Sequence, residues 1–257
     1  MSNTEVVPLE KLYKERYGRI LCYPKYDLKE LRRRVKELKK LGVQALEFTG
    51  EKKAFDISVL GKGCVGIVVV AIINERKVAL KVRRLDADRS AMWREAVMLR
   101  KANIVDVGPN LIDATENFLV MEFVEGTLLP SWVESLEEGM ESRIRHVLRA
   151  VLEQCWRLDE IGLDHGQLSR APKHIILKKD DKPCIVDFET ASASRRVSNV
   201  TSVCQYLFIG SRVAKAIAKR IGEVSREELI MALRDYKQRF TREKFEKVLC
   251  VCGLHSV

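Results

Sequence analysis

The sequence predicts an α+β fold in two lobes, a β-rich N-lobe followed by a small helical C-lobe. Three observations carry this. First, Phe55–Leu60, Ile67–Ile73 and Lys77–Val82 are short runs rich in β-branched residues, separated by Gly61–Gly66 and by Asn74-Glu75-Arg76. Such runs bounded by turn residues read as strands, and closely spaced ones as antiparallel neighbours. Second, Ile144, Val147, Leu148, Val151, Leu152, Cys155 and Leu158 recur at helical spacing over Arg143–Ile161, and Gly162 ends the run. Third, the pattern from Ser194 onward is helical, with Ser225-Arg226-Glu227-Glu228 as a capping box. A chain of 257 residues, 46% of them hydrophobic, can bury a core of this size.

Taken in order, residues 1–50 read as an N-terminal helical extension, 51–124 as the N-lobe and 125–257 as the C-lobe. In the extension Asp27 caps a helix, with Glu30 reaching back, that runs to Leu41 and stops at Gly42. Its stripe of Leu31, Val35, Leu38 and Leu41 is narrow and the rest is basic. This fits a helix packed on the lobe behind a solvated basic face, or a nucleic-acid-binding face. A second helix is expected from Ser90 to Lys101, where Glu95 shares a face with Met92 and Leu99. A carboxylate on an apolar face is costly unless paired, and Lys81 is the obvious partner. Asn117–Gly126 reads as a buried strand. His174–Leu177 and Cys184–Phe188 read as two short strands around a turn at Asp180–Pro183.

The chemistry concentrates in Leu60-Gly61-Lys62-Gly63-Cys64-Val65-Gly66-Ile67-Val68, a Gly-x-Gly-x-x-Gly-x-Val run, followed by Val78-Ala79-Leu80-Lys81. Glycines at those positions let backbone approach a phosphate chain, and a lysine on the next strand reaches the phosphates as a point charge. A dinucleotide loop passes from strand into helix, whereas this one passes from strand into strand. That is the nucleotide cover of a protein kinase fold. The expected nucleotide contacts are Gly61, Gly63, Gly66, Val68, Ala79 and Lys81. In such a fold the strand at 117–126 is the hinge between lobes. Met121 then lines the back of the adenine pocket, and backbone groups near Glu122 and Val124 bond the adenine edge. An ordinary core strand is the alternative.

The net charge of +10 suggests an anionic partner such as RNA or ATP, or simply a charge-rich solvated surface. The start, Met1-Ser2-Asn3-Thr4-Glu5, lacks a charged-then-apolar signal region. The longest apolar run, Val65–Ile73, is too short to span a bilayer. A cytoplasmic protein without membrane attachment is therefore expected. Seven cysteines, at 22, 64, 155, 184, 204, 250 and 252, form no Cys-x-x-Cys pair. They read as reduced thiols rather than as a disulfide framework or zinc site.

Together the glycine loop, Lys81, Glu95, the hinge, His165-Gly166-Gln167-Leu168 and Asp187-Phe188-Glu189 stand in an order that resembles the protein kinase-like superfamily. Within it the chain resembles the RIO-type atypical Ser/Thr kinases of archaea and eukaryotes, over about residues 52–210. RIO-type enzymes have His-Gly-Asp-Leu where ordinary kinases have His-Arg-Asp-Leu, and Gly166 follows the former. The missing arginine removes the usual reader of a phosphorylated activation loop, and no Ala-Pro-Glu follows Glu189. The resemblance thus implies a short, constitutive site without the usual peptide-docking segment. It implies ATP and Mg2+ as ligands and Lys81, Glu95, Gln167 and Asp187 as the catalytic set. Asp187 is the metal-binding aspartate in this reading. His174, where a longer loop replaces the family's metal-binding asparagine, is a second candidate ligand. Glu189, in place of a glycine, is an extra ligand or a capping or salt-bridged residue. Arg170 and Lys173 could add charge at the γ-phosphate, and His165 is a scaffold residue.

Gln167 is the main departure, because the family's aspartate there accepts the proton of the substrate hydroxyl and an amide cannot. Four readings follow. The first is an ATP-dependent Ser/Thr-type protein kinase acting on a protein or on itself, with Asp164 as a conceivable displaced base. The second is an ATPase or nucleotide switch, with Gln167 orienting water and an RNA or ribonucleoprotein partner on the basic surface. The third is a pseudokinase, and the fourth a small-molecule phosphotransferase of the aminoglycoside-kinase type.

Overall fold

The computed structural model describes residues 4–254, so Met1–Asn3 of the polar start lie outside the described residues. The architecture is α+β, as the sequence predicts. The chain divides into two compact units: one runs up to Arg100 and includes Pro109–Phe123, the other holds Lys101–Gly108 and the chain from Val124 onward.

The first unit is built on one antiparallel sheet. Its elements are β1 (Glu5–Pro8), α1 (Glu15–Leu21), α2 (Leu28–Lys40), β2 (Val43–Phe48), β3 (Lys52–Ala54), β4 (Ile57–Val59), β5 (Gly61–Lys62), β6 (Gly66–Ile73), β7 (Arg76–Arg83), α3 (Ala91–Ile104), β8 (Leu111–Ala114) and β9 (Phe118–Glu122). The sheet order is β1-β2-β6-β7-β9-β8, with β5 also paired to β6. The stretch before residue 51 therefore supplies two strands besides its helices. The strand expected over Phe55–Leu60 is shortened to Ile57–Val59, with a turn at Phe55 and Asp56. Ala54 pairs with Ile57 across a tight turn, and Phe55 takes φ 54° there. Asn74 and Glu75, with φ 48° and 62°, form a two-residue primed turn, whose twist suits a hairpin and leaves Arg76 in the strand.

Strand period decides which side chains share a face. Ile67 and Val69 of β6, Leu80 and Val82 of β7, and Phe118 and Val120 of β9 bury against Leu31, Val35 and Leu38 of α2. The alternate positions form the opposite face. Val68 stands opposite Lys81, and Lys81 opposite Leu119; Val70 stands opposite Ala79, and Ala79 opposite Met121. On that side Leu119 packs with Ala91, Met92 and Ala96 of α3.

Asp27 caps α2 by accepting the Glu30 N–H at 2.8 Å. Glu30 does not reach back as expected, because Arg34 Nε engages its carboxylate at 2.9 Å and Arg33 at 3.1 Å. Arg34 itself, expected on the solvated basic face, is fully buried. Its guanidinium donates to Leu21 O, to Arg83 O at 2.6 Å and to Asn117 Oδ1 at 2.9 Å. Those bonds satisfy its charge, and they tie α2 to the end of β7. Arg34→Ala would take this donor from the buried Leu21 and Arg83 carbonyls and leave Glu30 with Arg33 and Asn117 Oδ1 with Arg83, so a loss of about 3 kcal/mol is expected in urea unfolding. An unchanged midpoint would contradict this role. Arg32, Arg33, Lys36, Lys39 and Lys40 of α2 are exposed.

The second unit is mostly helical: α4 (Leu129–Ser135), α5 (Glu141–Glu160), α6 (Asn199–Cys204), α7 (Arg212–Ile221), α8 (Arg226–Gln238) and α9 (Arg242–Val251). Its small sheet orders β10 (Thr127–Leu128), β11 (Ile175–Leu177) and β12 (Pro183–Ile185). All seven apolar positions read on α5 are buried, and Gly162 ends the helix with φ 71°. The expected strand Cys184–Phe188 stops at Ile185, and Asp187 turns the chain with φ 72°. Ser225 caps α8 at Glu228 N. Among the described residues no helix is long and apolar enough to cross a membrane.

Candidate active site

In the first unit Lys81 Nζ lies 2.7 Å from Glu95 Oε2, with both side chains buried. The sequence explains the meeting. Strand alternation sends Lys81 to the face that α3 covers, and Glu95 falls on the helix face that Met92 shares. In a medium of low polarity each charge requires the other, so the pair fixes where the ammonium points.

The glycine loop lies on the same sheet. A Cβ at Gly66 would stand 2.9 Å from Val82 O and 3.0 Å from Lys81 Cγ, so only glycine lets β6 lie against the lysine stem. The loop closes through Gly63 N–H to Gly66 O at 2.8 Å. It is anchored by Arg84, whose side chain donates to Gly63 O at 3.2 Å and whose N–H donates to Val65 O at 2.8 Å. At Gly61 a Cβ would meet only Val68, at an ordinary 3.5 Å. Packing within the chain does not demand glycine there. Val68, Ala79, Lys81 and Met121 share one sheet face by register. Met121 is half-buried beside the α3 cluster. The Glu122 N–H is committed to Asn110 O at 2.8 Å, and its carboxylate accepts from the Asn110 side chain at 3.1 Å. Val124 opens the second unit and is half-buried.

In the second unit the loop after α5 carries the remaining candidates. His165 is a buried scaffold residue. Its N–H donates to Asn199 Oδ1 at 2.8 Å, its Nε2 lies 3.1 Å from Val186 O, and its carbonyl accepts from Thr190 Oγ1 at 3.0 Å. Burial lowers its pKa to about 4, so the ring is neutral at physiological pH. Asp164 cannot act as a displaced base. One carboxylate oxygen is ion-paired with Arg195 at 2.6 Å, and the other accepts from Ser198 N and Oγ at 2.9 and 3.1 Å. Gly166 takes φ 87°. Gln167 is half-buried and leads into a single 3₁₀ turn, Leu168–Arg170. Arg170 and Lys173 are exposed.

His174 is buried, and its Nε2 lies 3.6 Å from Asp187 Oδ2. Asp187 occupies left-handed backbone space, which non-glycine residues visit rarely and often at functional positions. Phe188 is buried and meets the His165 ring edge-on at 5.0 Å. Glu189 is half-buried. Among the described residues no group of three or more His, Cys, Asp or Glu gathers as a metal cluster. All seven cysteines carry free thiols.

Two residues of this region escape the sequence reading. Asn199 Nδ2 bonds Leu163 O at 2.7 Å and Asp159 Oδ1 at 2.8 Å while its Oδ1 holds His165. Asp159, pushed up by burial, also accepts from Val200 N and from the Tyr236 hydroxyl. Asp159 lies four residues after Cys155 on the apolar face of α5. The argument that flags Glu95, a carboxylate on an apolar face, would have flagged it too.

Residues 71–197 match the family model of the RIO domain. Among curated proteins none matches the chain. The matched stretch begins after the glycine loop and takes in Lys81, Glu95, the loop at His165-Gly166-Gln167, and Asp187. Residues 71–197 thus match a RIO domain, which is consistent with the resemblance to the RIO-type atypical kinases of the protein kinase-like superfamily.

Proposed function

We propose that this protein is an ATP-dependent phosphotransferase of the atypical Ser/Thr kinase type that works with Gln167 in place of the usual aspartate. The observation that carries the reading is the buried Lys81–Glu95 pair at 2.7 Å inside the stretch that matches a RIO domain. An ammonium held so firmly is suited to draw phosphate oxygens into place. In this reading Gly61, Gly63 and Gly66 present backbone N–H groups to the phosphates. Val68, Ala79 and Met121 offer an apolar face to the adenine, whose edge bonds backbone near Glu122 and Val124.

Asp187 offers a hard carboxylate oxygen, the donor that Mg2+ prefers. Bound there, a magnesium ion supplies neutralisation of charge on the phosphate oxygens. His174 is the neighbouring donor, but imidazole suits Mg2+ poorly, so its contribution is to orient Asp187. Phosphoryl transfer through a loose transition state rests mainly on positioning and electrostatics. Gln167 can therefore serve by orienting the acceptor hydroxyl without taking its proton, which leaves to a phosphoryl oxygen or to solvent. The acceptor is a protein hydroxyl, on a partner or on this chain, in the cytoplasm that the free thiols suit.

A second reading is favoured by the amide itself. A glutamine can orient water, and the activity is then ATP hydrolysis that switches binding of an RNA or ribonucleoprotein along the exposed cations of α2. Single-turnover reaction with labelled ATP and Mg2+ separates the two. Transfer of label to protein is expected, and release of free phosphate alone would favour the switch. Gln167→Asp sharpens the test: restoring a base should raise transfer about 100-fold. A fall in hydrolysis, with no transfer, would mean the glutamine is functional as it stands.

A further inference from the structure

The segment that follows Asp187 is stapled to the loop that carries Gln167. Asp164 and Ser192 exchange two backbone hydrogen bonds, at 2.9 and 2.8 Å. Arg195 Nε donates to Asp164 Oδ2 at 2.6 Å, and its Nη2 donates to Thr190 O at 3.1 Å. Thr190 Oγ1 in turn donates to His165 O at 3.0 Å. Ser198 supplies the remaining donors to Asp164, through its N–H and hydroxyl. Asp164 is only 3% exposed, and among the described residues its carboxylate takes its hydrogen bonds from Arg195 and Ser198.

Gly166 completes the arrangement. A Cβ there would lie 2.4 Å from Arg195 Nη2 and 3.0 Å from Thr190 O, and the residue has φ 87°. The loop passes directly against the guanidinium, with no room for a side chain on that side. The arginine that ordinary kinases carry at this loop position is missing from it, and a guanidinium is supplied instead from further along the chain. Its partner is a carboxylate of the protein itself, so it needs no phosphate to hold it.

We infer that Arg195 is a positioning residue: it locks the Asp164–Leu168 loop in the conformation that presents Gln167, so that the loop is assembled without modification of the chain. The inference rests on the phosphotransferase reading above and adds a named residue to it. A planar guanidinium can meet Asp164 and Thr190 together in fixed directions, whereas an ammonium meets one of them. A misplacement of about 1 Å in such a loop lowers rates by about 100-fold.

The test compares the full chain with Arg195→Ala and Arg195→Lys. Arg195 is half-exposed, with 48% of its side chain open to solvent, so neither change opens the core. In single-turnover reactions Arg195→Ala should lower the rate by about tenfold to 100-fold. The KM for ATP should stay within about twofold, and Arg195→Lys should recover part of the loss. Amide hydrogen exchange supplies a readout independent of turnover. Exchange at Gly166–Leu168 should accelerate in Arg195→Ala, while exchange in α5 and α8 stays as in the parent. Unchanged exchange in the loop, or a faster loop with an unchanged rate, would overturn the inference. A parent chain that neither transfers nor releases phosphate would count against the phosphotransferase reading, and the exchange contrast alone would then decide whether Arg195 holds the loop.

Discussion

Replacing Lys81 by alanine is expected to lower ATP turnover by about 100-fold to 1,000-fold while nucleotide affinity falls less than tenfold. Pre-steady-state phosphate release and a fluorescent-nucleotide titration would measure the two. The split follows from what the ammonium does. In the proposed reading adenine binding rests on the apolar face of Val68, Ala79 and Met121 and on backbone groups, none of which Lys81 supplies. Phosphate orientation rests, in the same reading, on the Lys81 charge, which lies 2.7 Å from Glu95. Turnover equal to that of the parent would remove Lys81 from the mechanism.

The alanine variant also removes the ammonium from the buried Glu95 carboxylate, and breaking a buried ion pair by itself costs about 3–5 kcal/mol. A loss of activity could then be a loss of fold. Two further variants separate these effects. Glu95→Gln keeps the volume and replaces the ion pair by a weaker contact, and should lower turnover about tenfold. Lys81→Met combined with Glu95→Leu replaces the buried pair by apolar side chains of similar size. It should recover most of the stability and none of the turnover. Thermal unfolding alongside kinetics on this set distinguishes a charge needed for chemistry from one needed for packing.

The Lys81–Glu95 contact was legible in the sequence because two independent periodicities lead to it. Lys81 alternates with Leu80 and Val82 on a strand, and Glu95 falls between Met92 and Leu99 on a helix. Strand-to-strand passage through the glycine loop was legible for the same reason. Arg34 was missed although it stands three residues after Leu31 and four before Leu38 on the apolar stripe, because its basic neighbours drew it into the solvated face. Besides Glu30, its acceptors Leu21 O, Arg83 O and Asn117 Oδ1 come from outside the helix. The turn at Phe55, which delays that strand to Ile57, was equally hidden, since a left-handed phenylalanine at a tight turn runs against residue preference and is imposed by the pairing of β3 with β4. The commitment of Asp164 to Arg195 and Ser198 depends on a chain reversal after Asp187 that no short-range pattern records. What the sequence shows well are contacts set by one element's periodicity. What it conceals are polar groups satisfied across loops.

Asp187 gives the second large effect, and its backbone decides which substitution should be used. Asp187→Ala removes the carboxylate and is expected to abolish Mg2+-dependent nucleotide binding and turnover, the latter by at least about 1,000-fold. At φ 72°, however, any Cβ crowds the following carbonyl at a cost of about 1–2 kcal/mol, and alanine lacks the short polar side chain whose local hydrogen bonds offset it. Asparagine tolerates this region far better and keeps the side-chain shape while removing the charge. Asp187→Asn should therefore fold like the parent and still lose the magnesium dependence. The His174 ring, 3.6 Å from Asp187 Oδ2, would face an amide instead of a carboxylate, with no change in the volume between β11 and the turn at residue 187. Titrating a non-hydrolysable ATP analogue into parent and variant, each with Mg2+ and with EDTA, reads the effect directly. The parent should bind more tightly with Mg2+, and Asp187→Asn should show one affinity in both buffers. If the variant kept the parent's response to Mg2+, the ion would be held elsewhere, and the assignment of Asp187 as its ligand would fail while the nucleotide grip of the first unit stood.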